Sequence, residues 1–154
     1  MVKQLFGQQW GGSMRPLPGV GTCVGAVLAG AVVGVVVPFV GDWVGALLET
    51  AVGKTVRAWE MAVLQVAFIT VPGGAAVGLL GAFSRRWALG LGIGAIVHAL
   101  AFGALVVTSD SMQAAPETVR YWVLTVGILT GGIAGAAGGV LFQMVNRQKT
   151  GREG

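Results

Sequence analysis

"YWVLTVGILTGGIAGAAGGVLFQMVN", residues 121–146, decides what kind of protein this is. It contains no Lys, Arg, Asp or Glu. It is longer than the ~20 residues that carry a helix across the hydrocarbon core of a bilayer. Glycine recurs at every fourth position, as Gly127, Gly131, Gly135 and Gly139. A helix returns to nearly the same face every four residues. The four glycines therefore predict one smooth groove about 18 Å long, at ~1.5 Å per residue. A lipid-facing helix gains nothing from glycine. At a helix–helix contact glycine lets backbones approach, so that dispersion and weak Cα–H hydrogen bonds act. The stretch predicts a transmembrane helix packed against a neighbour, either inside the same bundle or on another subunit.

Three more charge-free windows lie upstream, Pro16–Gly41, Met61–Ser84 and Trp87–Ser109. Across its 154 residues the chain is 55% hydrophobic and 10% charged, against about 25% charge in an ordinary soluble domain. Its mean hydropathy is +0.79. The expected fold class is an all-α integral membrane protein with four transmembrane helices, at about 17–40, 61–83, 87–108 and 121–145. Each earlier span carries its own glycine pair: Gly30 and Gly34, Gly74 and Gly78, Gly90 and Gly94. With the row on the fourth span, these are the expected helix-packing residues. Residues 1–16 and 146–154 are expected to be polar tails, and residues 42–60 an external amphipathic segment. That segment reads as an interfacial helix or an extension of the second span, because its apolar residues fall at helical spacing. No cleaved leader is expected, since Met1–Pro18 has no compact apolar core. Cys23 is the only cysteine, so no internal disulfide is expected.

The charges give a topology. Lys3, Arg15, Arg85, Arg86, Arg147, Lys149 and Arg152 fall on one side of the expected spans. Lys54, Arg57 and Arg120 fall on the other, among Asp42, Glu49, Glu60, Asp110 and Glu117. The positive-inside rule then places both termini in the cytoplasm, in a bacterial inner or thylakoid-type membrane. The net charge of +4 is thus a topology signal. No basic domain large enough to grip a duplex is present, so no nucleic-acid partner is expected.

The chain also echoes itself. "TVRAW" at 55–59 returns as "TVRYW" at 118–122. Shifting by 60 residues aligns Val63, Leu64, Val66, Thr70, Ala76 and Gly78 with Val123, Leu124, Val126, Thr130, Ala136 and Gly138. Gly45-Ala46-Leu47 echoes Gly103-Ala104-Leu105. The sequence is compatible with a tandem duplication of a two-helix unit, a parallel repeat about an axis along the membrane normal. Spans one and three show no clear match to each other.

Polar residues at membrane depth are few. His98, Thr70 and Thr130 are expected near the midplane. Pro72 removes the backbone donor for the Phe68 carbonyl, which then needs another. The simplest expectation for His98 is a hydrogen bond to a backbone carbonyl or a threonine. The segment Gly94-Ala95-Ile96-Val97-His98 resembles the small-x-x-x-His pattern of bacterial antenna helices. That resemblance implies a haem or chlorophyll-type pigment on His98. Four spans with glycine motifs are also similar, in composition only, to the mitochondrial inner-membrane translocase family, and no residue carries over. No acid, second histidine or cysteine accompanies His98 in the spans, so neither a catalytic set nor a metal site is expected. The leading expectation is a non-catalytic accessory or assembly subunit, with membrane lipids and other transmembrane helices or its own copies as partners. A homo-oligomeric small channel or transporter is the alternative.

Overall fold

The computed structural model describes residues 17–52 and 58–150, with side chains placed for 17–47 and 68–148. The described residues form helices joined by short turns, with no strand. They are α1 (Val20–Val52), α2 (Ala58–Ser84), α3 (Trp87–Thr108), a single-turn α4 (Asp110–Gln113) and α5 (Glu117–Thr150). Val20–Leu47, Trp87–Thr108 and Glu117–Gln148 are long and apolar enough to cross a membrane. The side-chain-described part of α2, Phe68–Ser84, is a shorter apolar helix. The chain is an all-helical membrane protein.

Two boundaries differ from the sequence reading. The first helix does not stop near Val40: residues 42–52, expected as part of a separate external segment, continue α1 through Pro38. Proline removes one backbone donor and normally breaks or kinks a helix. Here the carbonyl that Pro38 strands, that of Gly34, accepts a hydrogen bond of 2.8 Å from the Thr70 hydroxyl of α2. The helix continues because its neighbour supplies the missing donor. Residues 53–57, which include the start of the first TVR-x-W, lie outside the described residues, as do the tails 1–16 and 151–154. At the other end, residues 146–150, expected as polar tail, extend α5.

The helices pack as a diamond. α2 and α5 touch across the middle, and each also contacts both outer helices, α1 and α3. The α2–α3 connection is tight. Arg85 adopts a left-handed conformation with φ of 61°. Its carbonyl accepts a 3.2 Å hydrogen bond from the Gln143 side chain of α5. Ser84 closes the end of α2 by donating to the Gly81 carbonyl at 2.6 Å. At the opposite end, Phe102, Met112, Val119 and Val123 form a conventional side-chain core between α3, α4 and α5. Outward faces are aliphatic and aromatic, as at Leu28, Phe39, Trp43, Ile96 and Leu100, all more than half exposed. Helices apolar on every side are what a bilayer environment permits.

Candidate functional site: two glycine crossings and a buried histidine

Two backbone-to-backbone crossings organise the interior. In the first, Ala26, Gly30 and Gly34 of α1 face Gly78, Gly74 and Thr70 of α2. A β-carbon built at Gly30 would overlap the Gly74 carbonyl, and one at Gly34 the Thr70 carbonyl. One at Gly78 would overlap the Ala26 carbonyl. In the second, Gly90 meets Gly135 and Gly94 meets Gly131, each against the other's carbonyl. Gly139 lies on the backbone of Trp87, and Gly127 lies under the Phe102 ring. All four members of the glycine row on α5 therefore face α3, within this chain.

Several further glycines carry the same role. Gly138 packs on the Gly78 carbonyl and Gly81 on the Gly135 carbonyl, which closes the α2·α5 contact. Gly73 sits beside His98. The sequence signal for these was present as small-residue spacing, but which of 27 glycines face inward is not written in spacing alone. Gly21, Gly25, Gly92 and Gly103 have open space where a β-carbon would go.

His98 lies in the centre of three helices and is only 3% exposed. Its ring stacks on Phe102 of its own helix, with centroids 5.9 Å apart and planes 19° from parallel. Gly131 of α5 abuts the imidazole, leaving no space for a β-carbon. A β-carbon at Gly73 of α2 would come within 3.3 Å of Nε2. Nδ1 has no hydrogen-bond partner. The Gly94 carbonyl one turn back acts on it electrostatically without reaching hydrogen-bond geometry. The hydrogen bond expected from Nδ1 is therefore not formed.

The two threonines are both fully buried and donate elsewhere. Thr70 donates across to Gly34, and Thr130 donates to Val126 on its own helix at 2.7 Å. The sequence reading looked for a proline-freed carbonyl at Pro72. The cross-helix capture occurs at Pro38, whose partner Thr70 lies 36 − 4 = 32 residues further on in sequence. A carbonyl four residues before a proline, with a threonine on another span, was the signal available.

The surroundings of His98 do not fit a macrocycle. A haem or pigment on Nε2 needs a wide flat space beyond that nitrogen, and the α2 backbone at Gly73 is there. The small residue one turn back, Gly94, is already covered by Gly131. What the arrangement does is hold three helices at backbone contact. Comparison with known proteins adds no family to this picture: no protein-family model, no curated protein and no solved structure matches the chain.

Proposed function

We propose that this chain is a four-span protein made of two related two-helix units, and that it acts as a non-catalytic accessory or assembly subunit of a larger membrane complex. α2 serves as the remaining span: its 27 residues extend about 40 Å at ~1.5 Å per residue, and 61–84 is free of charge. The positive-inside reading puts both termini in the cytoplasm, in a bacterial inner or thylakoid-type membrane.

Contacts support the two-unit reading. Gly30 and Gly34 precede Gly90 and Gly94 by 90 − 30 = 94 − 34 = 60 positions. Gly34 packs on Thr70 and Val71, and Gly94 packs on Gly131, where 71 + 60 = 131. Gly30 packs on Gly74 and Ala75, and Gly90 packs on Gly135, where 75 + 60 = 135. Gly78 and Gly138, again 60 apart, touch each other, as equivalent residues on a two-fold axis would. The run of α1 to Val52 also places Gly45-Ala46-Leu47 at the end of α1, matching Gly103-Ala104-Leu105 at the end of α3.

The observation that carries the function is where the glycines point. They are consumed inside the bundle, which leaves α1 and α3 to present broad aliphatic faces outward. An interior closed by backbone contact offers a rigid unit for other transmembrane helices and lipid to pack on, and it favours this reading over a channel through the protomer. The test is the native mass of the protein, solubilised gently from its own membranes, with co-purifying chains identified. A large assembly of fixed stoichiometry is expected. A homogeneous particle of this chain alone would overturn the subunit role.

A further inference from the structure

A cleft of about 390 Å³ runs between α1 and α5, in the half of the bundle away from the Arg85 turn. Val36, Val40 and Val44 form one wall, and Trp122, Leu129 and Ile133 the other. Gly41 forms part of the floor, close against Val126. The one hydroxyl in the lining, that of Thr125, donates to Tyr121 on its own helix at 2.8 Å. The cleft thus presents a lining that is almost wholly apolar.

We propose that this cleft holds one acyl tail of a membrane phospholipid, bound as a retained lipid rather than as passing solvent. The inference rests on the membrane placement of the chain and not on its role as a subunit. Size selects the occupant. A cavity of about 150 Å³ holds one six-carbon benzene ring, so this cleft has room for on the order of a dozen or more methylenes. From Trp122 to Ile133 the α5 wall extends about 16 Å at ~1.5 Å per residue, a length suited to a chain of that size. A transmembrane helix ~10 Å across and equally long would need roughly three times the volume. A polar ligand would find no free donor or acceptor in the lining. The aromatic side chains at one end fix the direction. Trp43 and Tyr121 are largely exposed there, and such residues sit at headgroup level, so the lipid headgroup lies at that end and the tail points toward Ile133.

The test uses the full chain in vesicles of phosphatidylethanolamine and phosphatidylglycerol, doped with a phospholipid that carries a photoactivatable diazirine in its acyl chain. Adducts are mapped by mass spectrometry. Adducts on the cleft segments 36–44 and 122–133 are expected in several-fold excess over those at Leu28 and Leu100, which are lipid-facing and at least as exposed. Val40→Trp fills the cleft from a half-exposed position and is expected to abolish the excess. Val32→Trp, at an equally exposed site on α1 outside the cleft, is expected to leave it intact. Adducts spread evenly over all outward faces, unchanged by Val40→Trp, would overturn the proposal and leave only annular lipid. Disulfide-linked dimers of Val40→Cys formed in the same vesicles would overturn it in favour of a second copy of the chain. Co-purification of other subunits affects neither outcome, so the two proposals fail separately.

Discussion

The α1·α2 and α3·α5 crossings use the same device and finish it differently. Both bring glycines into contact with carbonyls of the facing helix. In the first, a proline at position 38 opens the α1 backbone, and a threonine hydroxyl from α2 closes it. In the second, His98 stands 98 − 38 = 60 residues after that proline. Its own N–H keeps the Gly94 carbonyl within the helix pattern, and Thr130 is left to bond within α5. The first crossing is tied by a hydrogen bond between helices. The second is tied by fit alone, with the imidazole and the Phe102 ring filling the space around the glycines. A buried hydrogen bond matters most where its loss leaves a polar group stranded. A glycine contact matters most where backbone stands in the way of any β-carbon.

That contrast can be broken from either side. The largest effect is expected from Gly131→Ala, because the added methyl meets both the Gly94 carbonyl and the His98 ring. Overpacking of this kind costs about 3 kcal/mol, and the folded fraction in reversible detergent unfolding should fall accordingly. Gly30→Ala, against the Gly74 carbonyl at the edge of the diamond, should destabilise less, since α1 has room to shift outward. Next comes Thr70→Val. It leaves the Gly34 carbonyl without a donor, at a cost of about 1–3 kcal/mol. Pro38→Ala restores the N–H, so in that background Thr70→Val should cost far less. A double-mutant cycle that showed no coupling would remove the proposed link between proline and threonine.

Thr130→Val sharpens the same comparison. The Val126 carbonyl already accepts the backbone N–H of residue 130 in a regular helix, so the loss should stay below about 1 kcal/mol. The smallest effects belong to sites outside both crossings. Gly21→Ala and Gly25→Ala enter open space and should be neutral or stabilise by up to about 1 kcal/mol through helix propensity. Unfolding of each variant under the same conditions ranks them directly.

Much of the architecture could be read before any contact was known. The charge-free windows around His98 and around the Gly127–Gly139 row begin and end close to where α3 and α5 do, because a bilayer tolerates no charge there. The end of α1 was not legible. Pro38 and the polar residues after it read locally as a break, and only the hydroxyl of Thr70, from another helix, overrides that reading. The surroundings of His98 were equally hidden. "GAIVHALAFG", residues 94–103, reads as room for a flat ligand, yet the room is filled by Gly131 and Gly73 from two other helices.

The sequence by itself determined the solvent of this protein, its helical secondary structure and the positions where backbones are able to meet. Those properties are local: apolar length sets the membrane span, and the absence of a β-carbon sets the distance of closest approach. Tertiary structure alone decided which glycine meets which, where the proline-freed carbonyl is satisfied and where a cleft is left open. Helices that are apolar on every side have no polar face to say which way they turn. Their rotation is chosen by contacts between residues far apart in the chain.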